Sequence, residues 1–248
     1  MIRRHHAAIA LAILAMPVAA CSMNWSDKQD KEEAGIAGVG SGDRRTYPVE
    51  GFTTIALAAA GDVDVRVGPA YSVTATGSPE ALDKLKVTRD GDTLKLSRQR
   101  GVTWGKSGKV HFTVTMPRIR GADIGGSGTI TVDRVEGERF EGNIGGSGTL
   151  DIRGLNVRKV EFAIGGSGDV AAAGAAGELE VSIGGSGKVR AQPLRSESAD
   201  ITIAGSGNIA ATVTRHADVT ILGAGDVTIQ GGAQCKVTKM GAGNVRCG

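Results

Sequence analysis

Ile124-Gly125-Gly126-Ser127-Gly128 returns almost unchanged at residues 144–148, 164–168 and 183–187, and then as Ile203-Ala204-Gly205-Ser206-Gly207. Two weaker copies follow, Ile221-Leu222-Gly223-Ala224-Gly225 and Lys239-Met240-Gly241-Ala242-Gly243. The closing glycines stand at 128, 148, 168, 187, 207, 225 and 243, so the spacings are 20, 20, 19, 20, 18 and 18. A period this regular is the signature of stacked repeats. Around each turn apolar side chains alternate with polar ones, as in Val160, Phe162 and Ile164 before a turn and Leu150 and Ile152 after one. That is strand periodicity, and the repeats carry none of the 3.6-residue spacing of an amphipathic helix. The expectation is an all-β chain: a parallel β-helix, or β-solenoid, with coils of about 18–20 residues whose strands stack in register.

Outward from the repeats, the chain divides into further parts. Residues 1–20 pair Arg3 and Arg4 with an apolar run and end in Val18-Ala19-Ala20 before Cys21, the pattern of a secretory signal peptide. The apolar run is too short for a membrane span of roughly 20 residues. Val18-Ala19-Ala20-Cys21 resembles the bacterial lipobox, and that resemblance implies cleavage before Cys21 and lipid attached to its sulfur. Ser22 at the next position, in place of an aspartate, resembles lipoproteins sent to the outer membrane. An ordinary signal peptide followed by a cysteine is the alternative. Residues 21–45, charged and then glycine-rich, read as the lipidated cysteine and a flexible tether.

The head occupies residues 46–248, with a less regular capping part at 46–117 and the repeat part at 118–248. The first part contains five alternating stretches and one short helix, with Ser78 as N-cap, Pro79 at the first helical position and an end near Leu85. Its Leu57-Ala58-Ala59-Ala60-Gly61-Asp62-Val63 reads as an early, degenerate copy of the glycine turn. A cap suits this end, because an open solenoid presents unpaired strand edges.

Composition agrees with an exported all-β protein: 39 glycines in 248 residues and 3% aromatics suit tight turns around an aliphatic core. The formal charge of +3 falls to +1 once Arg3 and Arg4 leave with the signal, 27 basic against 26 acidic residues. That is no footprint for nucleic acid, and aromatics are too few to stack bases.

Phe52-Thr53-Thr54-Ile55, Gly61-Asp62-Val63, Gly91-Asp92-Thr93-Leu94, Val114-Thr115-Met116-Pro117 and the serial Gly-Gly-Ser-Gly turns together resemble the bacterial head GIN domain family, also called an auto-transporter adhesin head. The resemblance covers roughly residues 46–247. It implies a β-helical envelope domain and supplies no catalytic residues.

Sharper chemistries find little support. A calcium β-roll needs an aspartate two places after the last glycine, where this chain has Ile130, Leu150, Val170, Val189 and Ile209. Asp62, Asp169 and Asp226 are the remaining candidates for a stray ion, and no metal or cofactor site is expected. Gly126-Ser127-Gly128 lacks the glycine frame of a nucleophile elbow, and His111 and His216 fall on outward strand faces. The serines at 127, 147, 167, 186 and 206 read as turn chemistry, with glycine supplying positive φ and serine bonding to nearby backbone. Asp133, Asp151 and Glu161, beside Arg134, Arg153 and Arg158, are the carboxylates a polysaccharide-cleaving β-helix would need, and they do not share one position in successive coils. Cys235 aligns with Ala217 and Ala199, and Cys247 with Ile229, all inward. An oxidising envelope permits a bridge between them, and two buried thiols are the alternative. The expected function is therefore a non-enzymatic, lipid-anchored outer-membrane protein, facing the periplasm or the surface. It would contact the membrane through its lipid and serve binding or adhesion, to a polysaccharide or protein ligand, or organisation of the envelope, with a polysaccharide-acting enzyme and a purely structural spacer as alternatives.

Overall fold

The computed structural model describes residues 35–99 and 109–248. Cys21 and the signal peptide lie outside the described residues. Among the described residues seventeen strands form one continuous sheet: β1 Arg44–Tyr47, β2 Thr54–Leu57, β3 Gly61–Val67, β4 Ser72–Thr76, β5 Leu85–Asp90, β6 Thr93–Arg98, β7 Val110–Met116, β8 Gly121–Ile124, β9 Thr129–Val132, β10 Val135–Ile144, β11 Thr149–Ile164, β12 Asp169–Ile183, β13 Lys188–Gly205, β14 Asn208–Gly223, β15 Asp226–Gln230, β16 Gln234–Gly241 and β17 Val245–Cys247. The short helix α1 spans Pro79–Asp83. Ser78 caps it, its hydroxyl accepting from the Ala81 N–H, and Pro79 lies in the first turn.

The repeats stack as a parallel β-solenoid. Ile124, Ile144, Ile164, Ile183, Ile203 and Ile221 lie directly above one another, and the column ends at Lys239. Neighbouring rungs are separated by the usual inter-strand distance of about 4.8 Å. Within one coil the inward positions are Leu150, Ile152, Leu155, Val157, Val160, Phe162 and Ile164, all buried, with polar or small side chains between them. Size is traded between coils. Gly142 sits on Phe162 in register, and a Cβ there would come within 2.9 Å of the Phe162 ring and 2.6 Å of Leu150.

The N-terminal part enters the same stack out of chain order. β2 pairs in parallel with β6 on one side and β8 on the other, and β3 likewise lies between β7 and β9. Leu57 stacks on Ile124 and Val63 on Ile130, so residues 57–61 do occupy the glycine-turn position. Beyond this coil the sheet turns antiparallel: β5 covers β6, β4 covers β7, and β1 covers β4. The segment expected to be tether up to residue 45 is tied down from Ile36. Its N–H donates to the Val87 carbonyl at 2.7 Å, and Val39 bridges Thr46.

At the other end Cys235 stacks on Ala217 and Cys247 on Ile229. The two cysteines form a disulfide across the last coil, with Cα atoms 6.5 Å apart.

Candidate functional surface

In the described coils up to β15 the inward positions are filled by the core, so the side chains open to a ligand there are those that repeat outward. From Ile144 onward the residue three places before the turn isoleucine points out, and in register it reads Glu141, Glu161, Glu180, Asp200 and Asp218, then Lys236 before Lys239; the first copy has Gly121 there. Five successive rungs thus carry a carboxylate at one position. Comparing Asp133, Asp151 and Glu161 with one another hides this ladder, since they stand at different offsets from their turns. Counting back three from every turn isoleucine reveals it.

Like charges directly opposite on neighbouring rungs repel, and the adjacent outward column answers them. Lys159 Nζ lies 3.1 Å from Glu161, 3.1 Å from Glu178 and 2.9 Å from Glu180. Arg139 pairs with Glu141 at 2.6 Å and also with Glu161. Hydrogen bonds to these carboxylates push the Lys159 ammonium well above the ordinary lysine range. Lys159 in turn holds the Glu180 carboxyl below its ordinary range. Asp200 has no ion pair among the described residues, and Asp218 meets His216 Nε2 at 2.7 Å.

The carboxylates considered for sugar cleavage do not converge. Asp133 Oδ1 accepts from the Val67 N–H at 3.0 Å and the Arg134 N–H at 2.6 Å, so it fixes a corner of the backbone. Arg134 donates to the Val67 carbonyl, and Asp151 lies 3.7 Å from Arg153. Arg158 pairs with Glu138. Of the three aspartates considered for ions, Asp169 pairs with Arg190 at 3.2 Å and Asp226 accepts from the Asn244 N–H. Asp62 stacks between His111 and Thr129. His111 lies 3.3 Å from Asp64. His216, paired with Asp218, stacks on Ser198, but the Ser198 hydroxyl donates to the Gly177 carbonyl at 3.4 Å and not to the ring. No group of three metal-ligating side chains occurs among the described residues.

The serine column is exposed from Ser127 to Ser206. Its turn chemistry differs from the sequence expectation in two ways. The backbone N–H of Ser147, not its hydroxyl, makes the turn bond, donating 3.1 Å to the Gly126 carbonyl of the coil before, and Ser167 does the same to Gly146. The second glycine of the turn is in the left-handed region at Gly205, Gly223 and Gly241 but not at Gly166. A Cβ on Gly166 would stand 2.3 Å from the Gly146 carbonyl oxygen, so close stacking is what demands glycine there.

No phenylalanine or tyrosine ring is exposed among the described residues: the four phenylalanines and Tyr47 are buried, and Tyr71 is half-buried with its hydroxyl donating to the Phe52 carbonyl. On the described surface a ligand would meet mainly carboxylates, cations, hydroxyls and amides. No described helix is long and apolar enough to cross a membrane.

No curated protein matches the chain in sequence. Among solved structures, a putative adhesin from Bacteroides fragilis superposes with a TM-score of 0.77 at 22% identity, covering 86% of this chain and 99% of that one. A putative lipid binding protein from Parabacteroides distasonis gives 0.66 at 19% identity, over 84% and 97% of the two chains. A putative adhesin from Parabacteroides merdae gives 0.64 at 16% identity, with the same coverage. These likenesses establish the fold. The sequence profile described as "Putative auto-transporter adhesin, head GIN domain" matches residues 51–233, and with the order of its turns and strands now seen in space, the chain belongs to that head GIN domain family.

Proposed function

We propose that this protein is a lipid-anchored head of the bacterial cell envelope that binds a polymeric or surface ligand and carries out no chemistry on it. One observation carries the reading. Outward side chains recur at a single rung spacing along a rigid stack, while each carboxylate considered for sugar cleavage is engaged in an ion pair or a backbone hydrogen bond. A repeating polar ruler suits multivalent contact with a repeating partner, in which many weak contacts sum without a deep pocket. The kinship with an adhesin family supports this reading. The name of the Parabacteroides distasonis structure points to lipid as a second ligand class. The test is retention of the purified full-length protein on immobilised envelope and matrix polysaccharides, with lipid vesicles in parallel. Retention on one class identifies the ligand, and retention on none favours a spacer.

Anchoring rests on Cys21 and the Val18-Ala19-Ala20 stretch before it. A single acyl chain holds a protein only marginally, whereas several hold it stably. Cys21→Ser is therefore expected to abolish lipid labelling in cells and to release the protein from the membrane fraction. Labelling that persists in this variant contradicts the anchor.

A further inference from the structure

The two ends of the solenoid are finished differently. At the N-terminal end β5, β4 and β1 cover the parallel coils, and Ile36 and Val39 extend that cover. At the C-terminal end β16 pairs with β14 and β17 with β15, and among the described residues nothing pairs with their far sides. The turn bonds give the direction of the exposed groups. Gly145, Gly165 and Gly184 donate back to the carbonyls of Ile124, Ile144 and Ile164, each at 2.8 Å, so the turn isoleucine aims its carbonyl at the following coil. Lys239 holds that place in the last coil. In a parallel ladder alternate residues bond to the same neighbour, so Cys235, Val237 and Lys239 direct their N–H and C=O groups to the open side.

That edge is both apolar and basic. Of the large hydrophobic side chains exposed among the described residues, Leu222 (40%), Val237 (46%) and Met240 (66%) lie on the last two coils. Val237 continues the column that holds Phe162, Val181, Ile201 and Val219 in the core, and no described coil lies above it. No acidic residue occurs from Val227 to Gly248, whereas Lys236, Lys239 and Arg246 do. Lys236 also ends the carboxylate ladder, so a further strand laid in register places its own residue against that ammonium. A carboxylate there is attracted and a cation repelled. A second copy would bring the same three cations to the junction. The Cys235–Cys247 disulfide ties the two edge strands together and keeps the template ordered before anything arrives.

We propose that the open edge of β16, where the outward carboxylate column ends at Lys236, is a docking site for an extended acidic polypeptide segment that adds one more strand to the solenoid. Backbone hydrogen bonds to Val237 and Lys239 supply part of the affinity, and alternation of acidic with apolar side chains, over Lys236 and Val237, supplies selectivity. The test uses the full-length protein and two fluorescent peptides, one alternating Glu with Val and one alternating Lys with Val. The acidic peptide binds and gives new hydrogen-exchange protection at the Val237 and Lys239 amides, while the basic peptide does not. Lys236→Glu with Lys239→Glu reverses the preference, each peptide changing by about tenfold or more. Val237→Pro removes a donor on the open side without touching the β14 ladder, a place where edge strands tolerate proline. It weakens the acidic peptide by a similar factor while leaving thermal unfolding unchanged. Equal binding of both peptides, binding without protection at those two amides, or binding of neither overturns the proposal. So does concentration-dependent self-association in place of peptide binding.

Discussion

Gly166 shows what a single residue contributes to this fold. Its neighbour one coil away leaves no room for a Cβ, so Gly166→Val forces two coils apart instead of straining one turn. We expect a cost of about 1–3 kcal/mol or more, typical of overpacking. Chemical denaturation reads the cost, and hydrogen exchange should show the loosening in the coils on both sides. The sequence identified this position as glycine-only but pointed to the wrong cause, because backbone angle and inter-coil space leave the same letter in the chain. Asp123 makes a second case, standing between Ala56 and Asn143 in register. Burial raises its carboxyl above the ordinary range, opposed by a 2.8 Å hydrogen bond from Asn143 and reinforced by Glu141. A pKa raised on folding means that the protonated form favours the native state. Asp123 therefore supports stability below the unfolded carboxylate value of about 4 and withdraws that support as pH rises through the higher folded value. Asp123→Asn keeps an amide partner for Asn143 and removes the titration. Unfolding midpoints measured from pH 4 upward should fall with pH in the wild type relative to the variant.

Among elements, the last coil is the most revealing. Among the described residues it has a neighbour on one side only, and its turn column ends in Lys239, whose Nζ donates to the Gly243 carbonyl at 2.9 Å in place of isoleucine packing. The Cys235–Cys247 bridge closes a short loop, and such bridges contribute about 2–4 kcal/mol. Reduction is expected to raise hydrogen exchange in β16 and β17 first, while β11 and β12 remain protected. Uniform loss across all coils contradicts a local staple. Individual strands were legible from alternation, and α1 from Ser78 and Pro79. Their order in the stack was not, because β2 and β3 lie between coils formed later in the chain. Alternation tells which side of a strand faces inward but not which strand lies next to it. The carboxylate ladder was present in the sequence all along, visible only when one offset is followed through every copy.

At the scale of the molecule, the period of the glycine turns specified a stack, and stacking determines what the surface can offer. Equivalent side chains arrive on successive rungs at one spacing, which favours repeated contact over a single converging site. Catalysis needs groups from different directions aimed at one atom, and Asp133, Asp151 and Glu161 instead engage the backbone or neighbouring cations. The ligand itself was not legible, since outward positions are free to vary without disturbing the core that the repeat encodes. The most direct measurement follows retention and polymer length together when the full-length protein is incubated with envelope and matrix polysaccharides. The account predicts retention with chain length unchanged. Shortening of the polymer that persists through purification, and vanishes on substitution of one carboxylate such as Glu161→Gln, would contradict it.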